Sequence, residues 1–151
     1  MMATKHSLGN YSSPSESMTV KLEIPDFTNQ MTGGADAMVK SPMFTIRGIK
    51  FLIGLSPNDR NKKNIGVHLF NYSEDTITAK FTVKHDKLGP AIVFIKREIE
   101  ADQGYGHPKL YSHRGFMKSN DDNVFRLELE VTLYFSAKDI NSSKKRSGLL
   151  L

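Results

Sequence analysis

Five histidines, scattered hydroxyls and two short basic runs are the residues of this chain that could do chemistry. His107 and His113 stand six apart with Pro108 between them, and no carboxylate falls at a spacing that would complete a metal set. His85 and Asp86 adjoin at the end of a strand-like run. Neighbouring side chains on a strand point to opposite faces, which argues against a hydrogen-bonded acid–base dyad. Ser112 beside His113 fails as a nucleophile–base pair for the same reason, and no nucleophile elbow is present. The glycines build no phosphate loop. With no cysteine, thiolate metal sites, thiol nucleophiles and disulfides are all excluded. The residues point away from an enzyme, and no metal or other cofactor is expected.

What positions these side chains is a series of short strands. A chain of 151 residues has room for one domain. Strand-like runs cover Thr19–Ile24, Met43–Ile46, Ile49–Ser56, Ile65–Phe70, Thr76–Lys84, Ala91–Glu98 and Val124–Phe135, separated by turn signals such as Gly33-Gly34, Pro57-Asn58-Asp59 and Gly89-Pro90. The last is the clearest. Phe125, Leu127, Leu129, Val131, Leu133 and Phe135 form one row, with Arg126, Glu128, Glu130, Thr132 and Tyr134 between them. A period of two over this length is a strand and not a helix. The pattern predicts an all-β fold, an antiparallel sandwich of about seven to eight strands. Residues 103–123 are less regular and are read as a loop with a short helical turn. Residues 1–17, rich in serine and poor in apolar side chains, are read as a disordered tail, 18–136 as the domain, and 137–151 as a basic tail.

The net charge of +5 raises the question of a nucleic-acid partner. Much of it belongs to the C-terminal tail, where Lys138, Lys144, Lys145 and Arg146 face only Asp139. The domain itself is nearly balanced, which weakens the case for a charged binding face. Lys62-Lys63 and Lys144-Lys145-Arg146 are short, and no stacking-aromatic motif accompanies them. No apolar run approaches the ~20 residues of a membrane helix, and the N-terminus lacks the apolar core of a signal peptide. A monomer in the cytoplasm, the nucleus or both is expected.

The order of several pieces resembles the meprin and TRAF homology family, known as MATH domains. A first strand closes in IPDFT (Ile24 to Thr28); SPMF and GIKFLIGLSP follow, then IGVHLF and AKFTV (Ala79 to Val83). A Tyr105-Gly106 pair, GFM at Gly115 to Met117 and the long final strand complete the order. The family has a tryptophan in the first strand and another after the glycine turn; Leu22 and Phe51 hold those places here. The resemblance implies a module that holds extended peptide segments of partner proteins in a shallow groove, in ubiquitin-linked substrate selection. The physics is strand addition, with main-chain hydrogen bonds for affinity and alternate side chains for specificity.

Carried over residue by residue, the groove implied by the resemblance contains His68, Phe81, Tyr105, Gly106 and His107. Arg97 falls near another aromatic position of the family. Where the family places a lysine and a carboxylate to read hydroxyls of a serine-rich ligand, this chain has Gln103 and Gly104, with Asp102 one residue early. An altered peptide preference follows. The segment Ile140 to Lys144 matches four of five positions of the ligand class read by the family. Two other roles stand beside peptide binding: self-association through exposed sheet edges with no working groove, and nucleic-acid contact through the basic tail.

Overall fold

A computed structural model of the chain describes residues 4–8, 14–33, 37–119 and 121–135; the basic segment 137–151 and the Ile140 to Lys144 match lie outside the described residues. The strands are β1 (Thr4–Leu8), β2 (Ser15–Ile24), β3 (Val39–Lys40), β4 (Phe44–Ile46), β5 (Ile49–Ser56), β6 (Asn64–Asn71), β7 (Ile77–His85), β8 (Ile92–Ile99), β9 (Gly104–Ser112) and β10 (Phe125–Tyr134). Two short helices, α1 (Phe27–Met31) and α2 (His113–Ser119), interrupt them. The architecture is an antiparallel β-sandwich, as the alternation predicts. One sheet runs β1-β2-β10-β7-β8; the other runs β3-β5-β6-β9, with β4 also paired to β5.

The apolar rows of the sequence become the facing surfaces. Val20, Val83, Leu129 and Val131 from one sheet, and Phe51, Ile53, Leu55, Val67 and Leu69 from the other, are fully buried. Each large apolar side chain removed from water contributes about 1.5–3 kcal/mol. The hairpin β4–β5 turns at Arg47 and Gly48, both at positive φ (49° and 81°), which matches the right-handed twist of the strands it joins. Phe27, at the start of α1, stacks on Phe125 with centroids 4.5 Å apart and meets Phe116 of α2 edge-on at 5.1 Å. Both helices are thus pinned to one end of the core.

Three strands and the helix α1 were not foreseen in the sequence. Thr4–Leu8, assigned to the tail, pairs with β2 along its outer edge, and β2 begins at Ser15. Backbone bonding at a sheet edge needs no apolar side chains, so composition does not reveal it. Gly104–Ser112, read as loop, is a full edge strand. Its Pro108 sits where a sheet tolerates proline, at an edge and in an irregular stretch between the Ile65 and Val67 pairings. Val39–Lys40 adds a two-residue strand the pattern misses.

The β5–β6 loop is built around one carboxylate. Asp59 Oδ1 accepts from the Lys63 and Asn64 amides at 2.9 and 3.2 Å, and Oδ2 accepts from Asn64 Nδ2 at 2.9 Å. Asn58 Nδ2 ties the same loop to the carbonyls of Met31 and Gly33 at 2.9 and 2.8 Å. The Lys63 amide, then the Asn64 side chain, draw the Asp59 pKa down to about 2 from 3.8. A carboxyl with a lowered folded-state pKa adds stability above pH 3.8 that is lost as pH falls towards 2. Asp59→Asn is therefore expected to lower stability at neutral pH and to flatten its decline between those two values, as measured by urea midpoints across pH.

Candidate functional site

Of the carried-over residues, His68, Tyr105, Gly106 and His107 lie on β6 and β9, at the open side of the sandwich where β9 ends one sheet and β8 ends the other, and Phe81 lies on β7. They do not share one face. Tyr105 pairs with Leu69 and lies on the core side, half-buried; Gly106 pairs with His68 on the outer side. His107 is exposed, and its Nδ1 accepts from the Lys109 amide at 2.9 Å, which steadies the irregular turn of β9.

Phe81 is placed differently from a ligand-contacting residue. It is only 1% exposed, because β7 lies inside its sheet and turns this side chain to the core. Its ring stacks on Phe94 of β8 at 4.4 Å and meets the Tyr105 ring edge-on at 5.5 Å. Phe94 and Tyr105 are themselves 5.6 Å apart at nearly a right angle. Phe81 is the floor of an aromatic cluster whose half-buried members are Phe94 and Tyr105. The Tyr105 hydroxyl donates to the Ile95 carbonyl at 3.0 Å, bridging the two edge strands. Arg97 lies with its guanidinium 5.2 Å from the Tyr105 ring centre, a cation–π contact over the same cluster.

The outer face of the β5-β6-β9 sheet holds a second group, which the sequence reading missed apart from His68 and Gly106. Phe70 and His68 lie 5.9 Å apart there. A Cβ on Gly54 or Gly104 would come within 2.5 and 2.6 Å of the Phe70 ring, so these two glycines let it lie across the strands. A Cβ on Gly106 would strike the Val67 carbonyl and the His68 backbone. The glycines flanking Tyr105 therefore serve close packing of backbone and ring, a signal visible only once their neighbours are known. Met38 sulfur closes over Gly54, and Leu52 is buried on this outer row.

His68 Nδ1 is buried without a hydrogen-bond partner. Burial first, and the positive charge that His107 can carry second, push the His68 pKa below the usual 6.5. The ring is thus neutral at neutral pH.

The residues set aside as chemistry behave in part as expected. His85 Nδ1 and Asp86 Oδ1 do approach, at 3.1 Å, contrary to the opposite-face argument. Strand β7 ends at His85, so the alternation no longer applies to Asp86. The same Nδ1 accepts from the Lys87 amide at 3.0 Å, while Nε2 is buried among aromatic rings. Ser112 Oγ accepts from the Gly115 amide, and His113 Nε2 meets the Pro57 carbonyl at 2.6 Å. Among the described residues no group of three metal-ligating side chains comes together. A depression of about 320 Å³ on the outer face of the other sheet is lined by Lys21, Glu23, Lys84, Asp86, Arg126 and Glu128, whose charges cancel.

No protein-family model matches the chain, and no curated protein matches it. Among the described residues no helix is long and apolar enough to cross a membrane.

Because the folded-state pKa of His68 lies below 6.5, its contribution to stability is complete above that pH and declines as pH falls towards the folded value. Imidazole resonances followed by NMR are expected to show His68 titrating below 6.5. His107→Gln, which removes the neighbouring charge, is expected to move the His68 midpoint upward.

Proposed function

We propose that this chain is a protein–protein interaction module that binds an extended peptide segment of a partner along the edge of β9. One observation carries the reading. β9 has β6 on one side and no paired strand on the other among the described residues, and its two faces differ. A strand added there would present alternate side chains to the two sides of the sheet. Those on the core side would meet Phe94, Tyr105 and Arg97. Those on the outer side would meet the surface cleared at Gly106, beside His68 and Phe70. Aromatic side chains with a polar tip suit such a role, because they offer apolar contact and a hydrogen bond together. Binding is the whole mechanism; no bond is made or broken. The MATH resemblance supports the same reading, and the ubiquitin-linked role enters the proposal through that resemblance.

A peptide-array screen with the intact chain, followed by affinity measurements, tests it. Tyr105→Ala and His68→Ala are each expected to weaken the selected peptide about tenfold, roughly 1.4 kcal/mol, with the circular dichroism spectrum unchanged. N-methylation of alternate peptide amides should weaken binding by a comparable factor, since main-chain hydrogen bonds are involved. Unchanged affinity in both variants would remove the β9 edge as the site.

Self-association is a second reading, favoured by Val93 and Ile95. These stand 63% and 72% exposed on β8, the edge strand of the other sheet. An exposed apolar edge is a template for pairing with a second copy. Under this reading sedimentation velocity shows a concentration-dependent dimer that Val93→Lys with Ile95→Lys abolishes. Under the peptide reading the chain sediments as a monomer.

A further inference from the structure

Two of the stretches of the chain that lack any carboxylate, 60–73 and 103–120, are hydrogen-bonded to one another as β6 and β9 with their flanking turns. At one end of this pair the β5–β6 loop, the irregular turn of β9 and α2 come together. The His113 amide donates to the Lys63 carbonyl at 2.8 Å, and Asn64 pairs with Ser112. Arg60, Lys62 and Lys63 on the loop, Lys109 on β9 and Arg114 on α2 are all exposed there. Among the described residues none of the five is in an ion pair. The one carboxylate of the loop, Asp59, is held by the Lys63 and Asn64 amides and stays ionised within reach of the Lys109 charge, so it offsets one of the five cations and leaves the surface strongly basic.

We propose that this cationic surface docks a short acidic segment of a partner protein. The loop that carries three of the charges is held in place by Asp59 and Asn58, so the cations are gathered before any ligand arrives. Gathered like charges repel one another, and a string of carboxylates relieves that repulsion while raising the association rate. A nucleic acid fits less well. No exposed phenylalanine, tyrosine or tryptophan lies among the five residues for bases to stack on, Tyr111 being buried, and the exposed His107 beside Lys109 offers one small ring and no platform for successive bases. The cations are confined to one end of the sandwich, and the outer face of the other sheet offers a longer polyanion no continuing basic surface, because exposed Glu23, Glu128 and Glu130 there are balanced by Lys21, Lys80 and Lys84. The surface is separate from the aromatic cluster at Tyr105, and the inference does not require the β9 edge to bind.

The test is fluorescence anisotropy on the full chain with a short labelled peptide of alternating aspartate and glutamate. Its asparagine–glutamine analogue and two oligonucleotides, one single-stranded and one duplex, serve as comparisons. The acidic peptide is expected to bind at low ionic strength, to weaken as salt rises, and to lose about tenfold in affinity with Lys62→Gln, Lys63→Gln and Lys109→Gln combined. Arg60→Gln with Arg114→Gln should act in the same direction, and thermal unfolding confirms that both variants are folded. Tyr105→Ala, and glutamine at Lys144, Lys145 and Arg146, should leave the affinity unchanged. The proposal is overturned if the acidic peptide does not bind, or if the uncharged analogue binds equally. It is also overturned if only the tail substitutions abolish binding, or if either oligonucleotide binds more tightly than the peptide.

Discussion

The inward apolar row of β10 is the constraint on which the rest of the structure depends. This strand pairs with β2 over ten residues and with β7 over eight, so it fixes the register of three strands at once. A slip of one residue would turn Leu127, Leu129, Val131 and Leu133 to water and bring Glu128 and Glu130 into the core. The desolvation cost of burying those carboxylates makes the alternative register inaccessible. With the row set, β7 must turn Phe81 inward, and β8 must lay Phe94 against it. The aromatic cluster at the open side of the sandwich is a consequence of that register.

The two sheets end differently at this side, and that difference organises the candidate sites. On β8 exposed Val93 and Ile95 precede exposed Lys96, Arg97 and Glu98, while β9 presents Tyr105, His107 and Lys109 along a strand broken by glycine and proline. The Tyr105 hydroxyl joins the two edges through the Ile95 carbonyl. Recognition by strand addition needs an unpaired edge, and a sandwich that buries its core still leaves such edges. Polar and basic side chains on β9 and its neighbours keep that edge hydrated, whereas β8 leaves apolar side chains in water.

Much of the fold was legible in the sequence. Seven strands appear where alternation predicts them, and β5 has the predicted bounds, Ile49 to Ser56. The strands that escaped are β1, paired to β2 at the sheet edge, the two-residue β3, and β9, whose Gly104, Gly106 and Pro108 read as turn signals. The site was legible only in part. Tyr105, His107 and the His68–Gly106 pairing do lie together, but Phe81 could not be told from a core residue by its place in an alternating strand. Phe70 was invisible as a surface ring because its setting requires Gly54, sixteen positions earlier, and Gly104, far downstream.

Alternation and turn residues by themselves determined that this chain forms an antiparallel sandwich, because the period of two is a local property that burial enforces strand by strand. Composition determined that the domain carries little net charge. The tertiary structure alone decided how that charge is distributed, because two acid-free stretches, 60–73 and 103–120, are brought edge to edge by the pairing of β6 with β9. It alone decided which aromatics remain accessible, since that depends on whether a strand lies inside its sheet or at its margin. Strand order is set by contacts between residues distant in the chain, and no local pattern encodes it.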